Sequence, residues 1–321
     1  MDWRRIARIR AAPTRPPGAY TNLEELIRMQ FKVSDFSLLP SQPVTSILSG
    51  RYASRLRGRG LNFEELRHYQ PGDDIRTIDW KVTARTRSPH VRVYSEERDR
   101  SVLLVVDQRL NMFFGTRQKF KSVTAAEIAA IGAWRAVDVG DRIGAIVFND
   151  EEMIEFTPRN SHLNVMSILS AVVRLNHRLS ADSAVTPDQS MLNRALGRAA
   201  RVARHDALVV LISDFYGVDE QSEKLTAQLA VHNDVVALYP FDPTREDPGE
   251  GMITVSDGTL QMEIDFGDAS KRKKMVEDYR DEVQRITHFL RKISAPLLMI
   301  SNEGEVGDQL RRYLGIRPRL S

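Results

Sequence analysis

The chain has 321 residues, a formal net charge of +3 and no cysteine. This length suits one large or two ordinary domains. A content of 42% hydrophobic and 28% charged residues is typical of a globular protein and argues against disorder or fibrous repeats. The lack of cysteine excludes disulfide scaffolds, thiolate-bound metals and thiol catalysis.

The charges are distributed unevenly along the chain. Residues 1–100 carry 19 basic and 12 acidic side chains, whereas the remaining 221 carry 27 and 31. This asymmetry indicates two regions with different surfaces. No stretch approaches the ~18 consecutive apolar residues that a membrane helix requires. We therefore expect a cytoplasmic protein without a membrane span.

Three segments follow one another in the chain. Residues 1–49 form a basic arm broken by proline and glycine, followed by a helix from Leu23 to Phe31 that Asn22 can cap. Residues 50–100 are rich in turns and contain a short alternating strand at 91–94, which predicts a small β-rich block. From residue 101 to 321, strands alternate with helices.

The segment 101–321 has the pattern of an α/β domain. Strands are predicted at 101–107, 142–148, 153–156, 207–213, 235–239 and 297–300. Helices are predicted at 121–139, 161–175, 190–204 and 271–292. Nearly continuous apolar strands that alternate with helices favour a mainly parallel sheet covered by helices on both faces.

Two acids follow strands of this sheet. Asp107 ends the first strand, and Asp214 follows the apolar run Leu208–Ile212. In parallel sheets, ligands bind beyond the carboxyl ends of the strands. Both carboxylates are therefore candidates for binding a cation or a basic group of a partner, although acids at such positions also serve as helix caps.

A second group of acids lies in the β-rich block. Asp73, Asp79 and Lys81 have a spacing similar to metal-dependent nucleases, in which two acids hold Mg²⁺ and a lysine orients water. Glu96 and Glu97 could add ligands. However, the acids Asp73, Asp74 and Asp79 alternate with the basic residues Arg76, Lys81, Arg85 and Arg87. Such carboxylates commonly pair with guanidinium groups, and the nuclease stays an alternative.

Other motifs for catalysis or nucleic-acid binding are weak. The sequence contains no Walker P-loop and no nucleophile-elbow serine, and its seven histidines show no metal-ligand spacing. We therefore expect a protein that is not an enzyme. Arg55, Arg57 and Arg59 could contact phosphates, but their segment lacks the aromatic residues of a single-strand platform. A basic nucleic-acid-binding module is the remaining alternative.

The run from Gly50 to Trp80, continued by Ala84–Thr86 and Val91–Tyr94, resembles the signature of domain-of-unknown-function family 58. Its motif covers Gly72, Asp73, Asp74, Arg76, Asp79, Trp80 and Arg85. The resemblance implies that a von Willebrand factor A-like domain follows. It also implies a non-enzymatic partner of MoxR-type AAA+ ATPases, and of other von Willebrand A-type proteins, in chaperone-like remodelling or maturation of client complexes.

The resemblance also places a metal-ion-dependent adhesion site at the strand ends, and this sequence departs from its pattern. The two serines of Asp-x-Ser-x-Ser are replaced by Arg109 and Asn111, Ser190 aligns with the usual threonine, and Asp214 aligns with the third-loop acid. These residues and Asp107 are expected to form the rim that contacts partners.

Two states of this degenerate site remain open. In one, Arg109 takes the place of the ion, pairs with Asp107 and Asp214, and the protein needs no cofactor. In the other, Arg109 points into solvent and Asp107, Asn111, Ser190 and Asp214 hold a weakly bound Mg²⁺. The acids and arginines of the family motif are expected to lock the β-rich block against the sheet.

Overall fold

The computed structural model describes residues 18–32, 62–70, 73–95, 100–180, 183, 185–249, 252–256, 261–265 and 268–313. The chain divides into two compact units, a smaller one of residues 52–100 and a larger one formed by residues 1–51 together with 101–321. Helix α1 (Leu23–Arg28), which the sequence grouped with the basic arm, belongs to the larger unit. Asn22 caps it as predicted, since its side chain accepts a hydrogen bond from the Glu25 amide at 2.9 Å.

The smaller unit contains one antiparallel strand pair and a short helix. Strands β1 (Asn62–His68) and β2 (His90–Ser95) form the predicted small sheet. Helix α2 (Trp80–Thr86), which the sequence did not predict, lies between them in the chain. Asp79 caps its N-terminus, since the Asp79 carboxylate accepts hydrogen bonds from the amides of Lys81 and Val82 at 2.9 and 3.0 Å.

The larger unit is built on one six-stranded sheet. Its strands are β3 (Ser101–Asp107), β4 (Arg142–Phe148), β5 (Met153–Arg159), β6 (Leu208–Ile212), β7 (Asp234–Phe241) and β10 (Leu297–Ser301). The spatial order is β10-β7-β6-β3-β4-β5, and every neighbouring pair is parallel except β4 and β5. The predicted mainly parallel α/β sheet is therefore confirmed. After β3, the chain adds β4 and β5 on one side of it and then β6, β7 and β10 on the other side. A topological switch point therefore lies between β3 and β6.

Helices cover both faces of this sheet, as predicted. One face packs with α1, α3 (Lys121–Asp138), α4 (His162–Asn176) and α8 (Val306–Tyr313). The other packs with α5 (Ser190–Val202), α6 (Glu220–Ala230) and α7 (Ala269–Lys292). Side chains of β3 alternate between the two cores, Leu104 facing the first and Leu103 the second. A separate hairpin of β8 (Met252–Ser256) and β9 (Gln261–Asp265) precedes α7.

The N-terminal segment of the larger unit is held by a buried chain of amides. The Thr21 amide donates to Asn176 Oδ1 at 3.0 Å, and Asn176 Nδ2 donates to Gln108 Oε1 at 3.1 Å. Trp134 Nε1 donates to the Leu26 carbonyl at 3.0 Å. Gln108 lies between Asp107 and Arg109, so this chain fixes the loop that follows β3. Among the described residues, no helix is both long and apolar enough to cross a lipid bilayer.

Candidate functional site

The strand-end acids lie side by side at the switch point. Strands β3 and β6 are neighbours with Val106 opposite Ile212, so the segments that follow them meet at one edge of the sheet. Ser213 Oγ donates to Asp107 Oδ2 at 2.7 Å and joins the two segments. We call the edge where the parallel strands end, with its loops 107–112, 149–152, 185–190 and 213–219, the carboxyl edge.

Arg109 points inward and pairs with Asp107. Its side chain is 1% exposed. The Nη2 atom donates to Asp107 Oδ2 at 2.7 Å, and Nε lies 3.1 and 3.2 Å from the two carboxylate oxygens. The Arg109 backbone amide adds a bond to Oδ1 at 2.9 Å, and the guanidinium carbon lies 5.6 Å from the centre of the Phe148 ring. One arginine therefore occupies both oxygens of the first acid.

Asp214 is occupied by a different cation. Lys121 Nζ, at the start of α3, donates to Asp214 Oδ2 at 2.5 Å, and both side chains are buried. The other oxygen accepts bonds from Asn111 Nδ2 at 2.6 Å and from the Tyr216 amide at 3.0 Å. Asp107, Arg109, Lys121 and Asp214 thus form two buried ion pairs, which we call the ion-paired centre.

The pKa shifts show that these charges stabilise one another. Burial alone would raise the pKa of Asp214, but the charges of Lys121 and Arg109 outweigh it and lower the value to about 2. Burial alone would lower the pKa of Arg109, but Asp107 and, more weakly, Asp214 hold it above its ordinary value. Asp214 and Arg109 therefore stay ionised at neutral pH.

A third acid, which the sequence analysis missed, joins two loops of the carboxyl edge. Asp150 follows β4, and its carboxylate accepts hydrogen bonds from the Leu110 amide at 2.7 Å and the Asp188 amide at 2.8 Å. Burial raises the pKa of Asp150 despite these bonds. Asp150 therefore fixes the loop after β3 relative to the loop before α5.

The five predicted rim residues do not all lie at the surface. Asp107, Arg109 and Asp214 are buried, while Asn111 is partly exposed and Ser190 is exposed. The backbone amide of Ser190 donates a hydrogen bond to Asp188 Oδ1 at 2.9 Å. The structure thus brings Asp107, Arg109, Asn111 and Asp214 together and leaves Ser190 on the neighbouring loop.

Lys121 is a further residue of the site that the sequence pattern does not predict. The pattern predicts that Arg109 pairs with both acids, whereas the partner of Asp214 in the ion-paired centre is Lys121. A signal was available, because a lysine in the first turn of a helix is unfavourable next to the positive end of the helix dipole. Such a lysine indicates a specific anionic partner.

The residues of the ion-paired centre do not fit a divalent ion as they are folded. Both acids already accept hydrogen bonds from cationic side chains, and a guanidinium group cannot ligate a metal. Within the described part of the chain, no group of three or more His, Cys, Asp or Glu side chains is placed to hold a metal ion.

In the smaller unit, the motif acids bind local groups. Asp73 accepts two bonds from Arg67, both at 2.8 Å, and this pairing holds the pKa of Asp73 below its usual range. Asp74 caps the 3₁₀ turn Ile75–Thr77, and Asp79 caps α2. Arg76, Lys81, Arg85 and Trp80 are exposed. Gly72, Glu96, Glu97 and the arginines Arg55, Arg57 and Arg59 lie outside the described residues.

Fold and site together define an α/β protein with an ion-paired centre at the switch point of a parallel sheet. The family model described as "Protein of unknown function DUF58" matches residues 65–285, more than half of the chain. The chain therefore belongs to this family, as its sequence predicted.

The names of the relatives and of the solved structures that the chain matches give no established activity for those proteins. Uncharacterised proteins of Mycobacterium bovis and Mycobacterium tuberculosis are 28% identical over 284 residues, which is 88% of this chain and 87% of each relative. A conserved hypothetical protein, BatB, from Bacteroides thetaiotaomicron has a TM-score of 0.43 at 12% identity, covering 67% of this chain and 97% of its own. An aerotolerance-related membrane protein from Bacteroides fragilis has a TM-score of 0.39 at 12% identity, covering 68% and 100%.

Proposed function

We propose that this protein is a non-enzymatic adaptor that binds protein partners at the carboxyl edge and acts with a MoxR-type AAA+ ATPase. In this role it brings the ATPase to a client complex for chaperone-like remodelling or maturation. The ATPase partnership is what the resemblance to family 58, over roughly residues 45–245, implies. A partner that consumes ATP also implies the cytoplasm as the compartment.

The observation that supports a binding role is that the exposed loops of the carboxyl edge are held in place by buried contacts beneath them. Two ion pairs, the Ser213–Asp107 bond and the Asp150 bridge fix the loops of the carboxyl edge. Binding to loops that are already ordered loses less conformational entropy, so more of the contact energy remains as affinity.

The surface above this centre carries residues suited to a protein interface. Tyr216 is 44% exposed, and its hydroxyl accepts a hydrogen bond from Gln189 Nε2 at 3.3 Å. A Cβ atom at Gly217 would lie 2.8 Å from Gln189 Cβ, so this glycine allows the loop after β6 to pack against the start of α5. Tyrosine is enriched at interfaces because it combines a large apolar area with a polar tip.

Binding to a MoxR-type ATPase from the same organism would test the proposal. Biolayer interferometry with immobilised full chain, with and without ATP, should give saturable binding. Tyr216→Ala should weaken it at least about tenfold, as expected for a central aromatic contact. Val231→Ala is the matched control, since Val231 is 69% exposed at the opposite edge, before β7. Absence of binding in both nucleotide states, or equal weakening by the two variants, would contradict the proposal.

A further inference from the structure

We propose that Arg109 and Lys121 together replace a divalent ion in the ion-paired centre, and that removing both would turn the centre into a Mg²⁺ site. This inference goes beyond the adaptor role, because it concerns what holds the centre together and is independent of the partner's identity.

The charges of the two strand-end acids are balanced without an ion. A divalent ion would supply two positive charges to the two strand-end acids. Here Arg109 supplies one to Asp107 across 2.7 Å, and Lys121 supplies one to Asp214 across 2.5 Å. All four side chains are buried, where unpaired charges are costly. The two cations therefore provide the charge that an ion would provide, and they leave no net attraction for one.

Several oxygen atoms of the kinds that bind hard cations lie in and beside the centre. Besides the two carboxylates, the centre contains the Ser213 hydroxyl, bonded to Asp107. Asn111 adds an amide oxygen that is buried and has no hydrogen-bond partner among the residues that the structure describes. The Asn111 amide cannot simply flip, because its Nδ2 donates to the ionised Asp214 at 2.6 Å. Carboxylate, hydroxyl and amide oxygens are the hard ligands that Mg²⁺ prefers. Without the two cations, these oxygens form a ligand set.

Calorimetric titration of MgCl₂ into the full-length protein tests this directly. The wild type should give no binding heat up to millimolar Mg²⁺. The double variant Arg109→Ser/Lys121→Met should bind Mg²⁺, and its melting temperature should rise with added Mg²⁺, whereas that of the wild type should not. Lys119→Met is the matched control, because Lys119 lies two residues from Lys121 but pairs with Glu127. This control should behave like the wild type in both measurements.

Three results would overturn the inference. The first is micromolar Mg²⁺ binding by the wild type that Asp107→Ala abolishes. The second is a double variant that keeps the native circular dichroism spectrum but neither binds Mg²⁺ nor gains stability from it. The third concerns the case in which Arg109→Ser/Lys121→Met does not fold even with Mg²⁺, and it comes from a mutant cycle of Asp107→Asn and Arg109→Gln. If the two residues act as a pair, the variant that carries both changes should lose less melting temperature than the sum of the two single variants. Losses that simply add would contradict the inference.

Discussion

Arg109 shows how one buried cation determines the chemistry of a site. An isolated buried guanidinium would be strongly destabilising, but Asp107 contacts it through three side-chain bonds and the backbone. Breaking such a pair by removing one partner commonly costs about 3–5 kcal/mol, because the other charge is left buried. The residues of the pair could be predicted from the sequence, since they lie two positions apart at the end of an apolar strand. The position of Lys121 in the first turn of α3 indicates an anionic partner, but its pairing with Asp214 could not be predicted, because 93 residues separate the two.

The low pKa of Asp214 predicts a loss of stability in acid. Its pKa is about 2 in the folded protein, below the 3.8 of an ordinary aspartate. The stabilisation is therefore complete above about pH 4 and is lost as the pH falls from there towards 2. Its size is on the order of 2 kcal/mol. Urea unfolding of the wild type between pH 5 and 2 should show this decline.

Asp214→Asn provides the comparison for that measurement. The variant should be less stable than the wild type at pH 7, because Lys121 loses its charged partner. It should also show a shallower decline in unfolding free energy below pH 4, since the proton uptake at Asp214 is gone. Parallel curves for the two proteins would mean that Asp214 does not carry the effect.

At the scale of elements, the caps of the smaller unit predict that replacing Asp79 lowers the stability more than replacing Asp74. Asp79 is nearly buried and caps α2 through two backbone amides, whereas Asp74 is exposed and caps a 3₁₀ turn through one. Asp79→Ala should therefore lower the unfolding free energy by about 1–2 kcal/mol. Asp74→Ala should cost less, and thermal unfolding followed by circular dichroism would rank them. An unchanged Asp79→Ala curve would contradict the capping role.

The elements that could be predicted from the sequence are those with a strong apolar pattern. Strands β3, β4, β6 and β7 have continuous apolar runs, and helix α3 is buried along most of its length. The elements not predicted are short or polar. Helix α8 has eight residues with three buried, and α6 is largely polar on its outer face. The start of α6 could be predicted, since Asp219 and Ser222 form a capping box there.

At the scale of the whole molecule, the site depends on strand order, which no local pattern encodes. Asp107, Asp150 and Asp214 follow three different strands, and they converge because β4, β3 and β6 are neighbours in the sheet. The sequence could place acids at strand ends, but it could not show which ends meet. For that reason Asp150 was missed, although it bridges two loops of the carboxyl edge. The carboxyl edge is thus a product of topology, with a surface that includes Tyr216 and Gln189 above the ion-paired centre.

The most direct test of the proposed adaptor role is amide hydrogen exchange of the full chain, alone and saturated with the MoxR-type ATPase. The account predicts slower exchange in the bound state at the carboxyl-edge loops 107–112, 185–190 and 213–219. Loops of the opposite edge, at 139–141, 203–207 and 231–234, should exchange at unchanged rates. Protection confined to that opposite edge or to residues 62–95, with the carboxyl-edge loops unaffected, would contradict it.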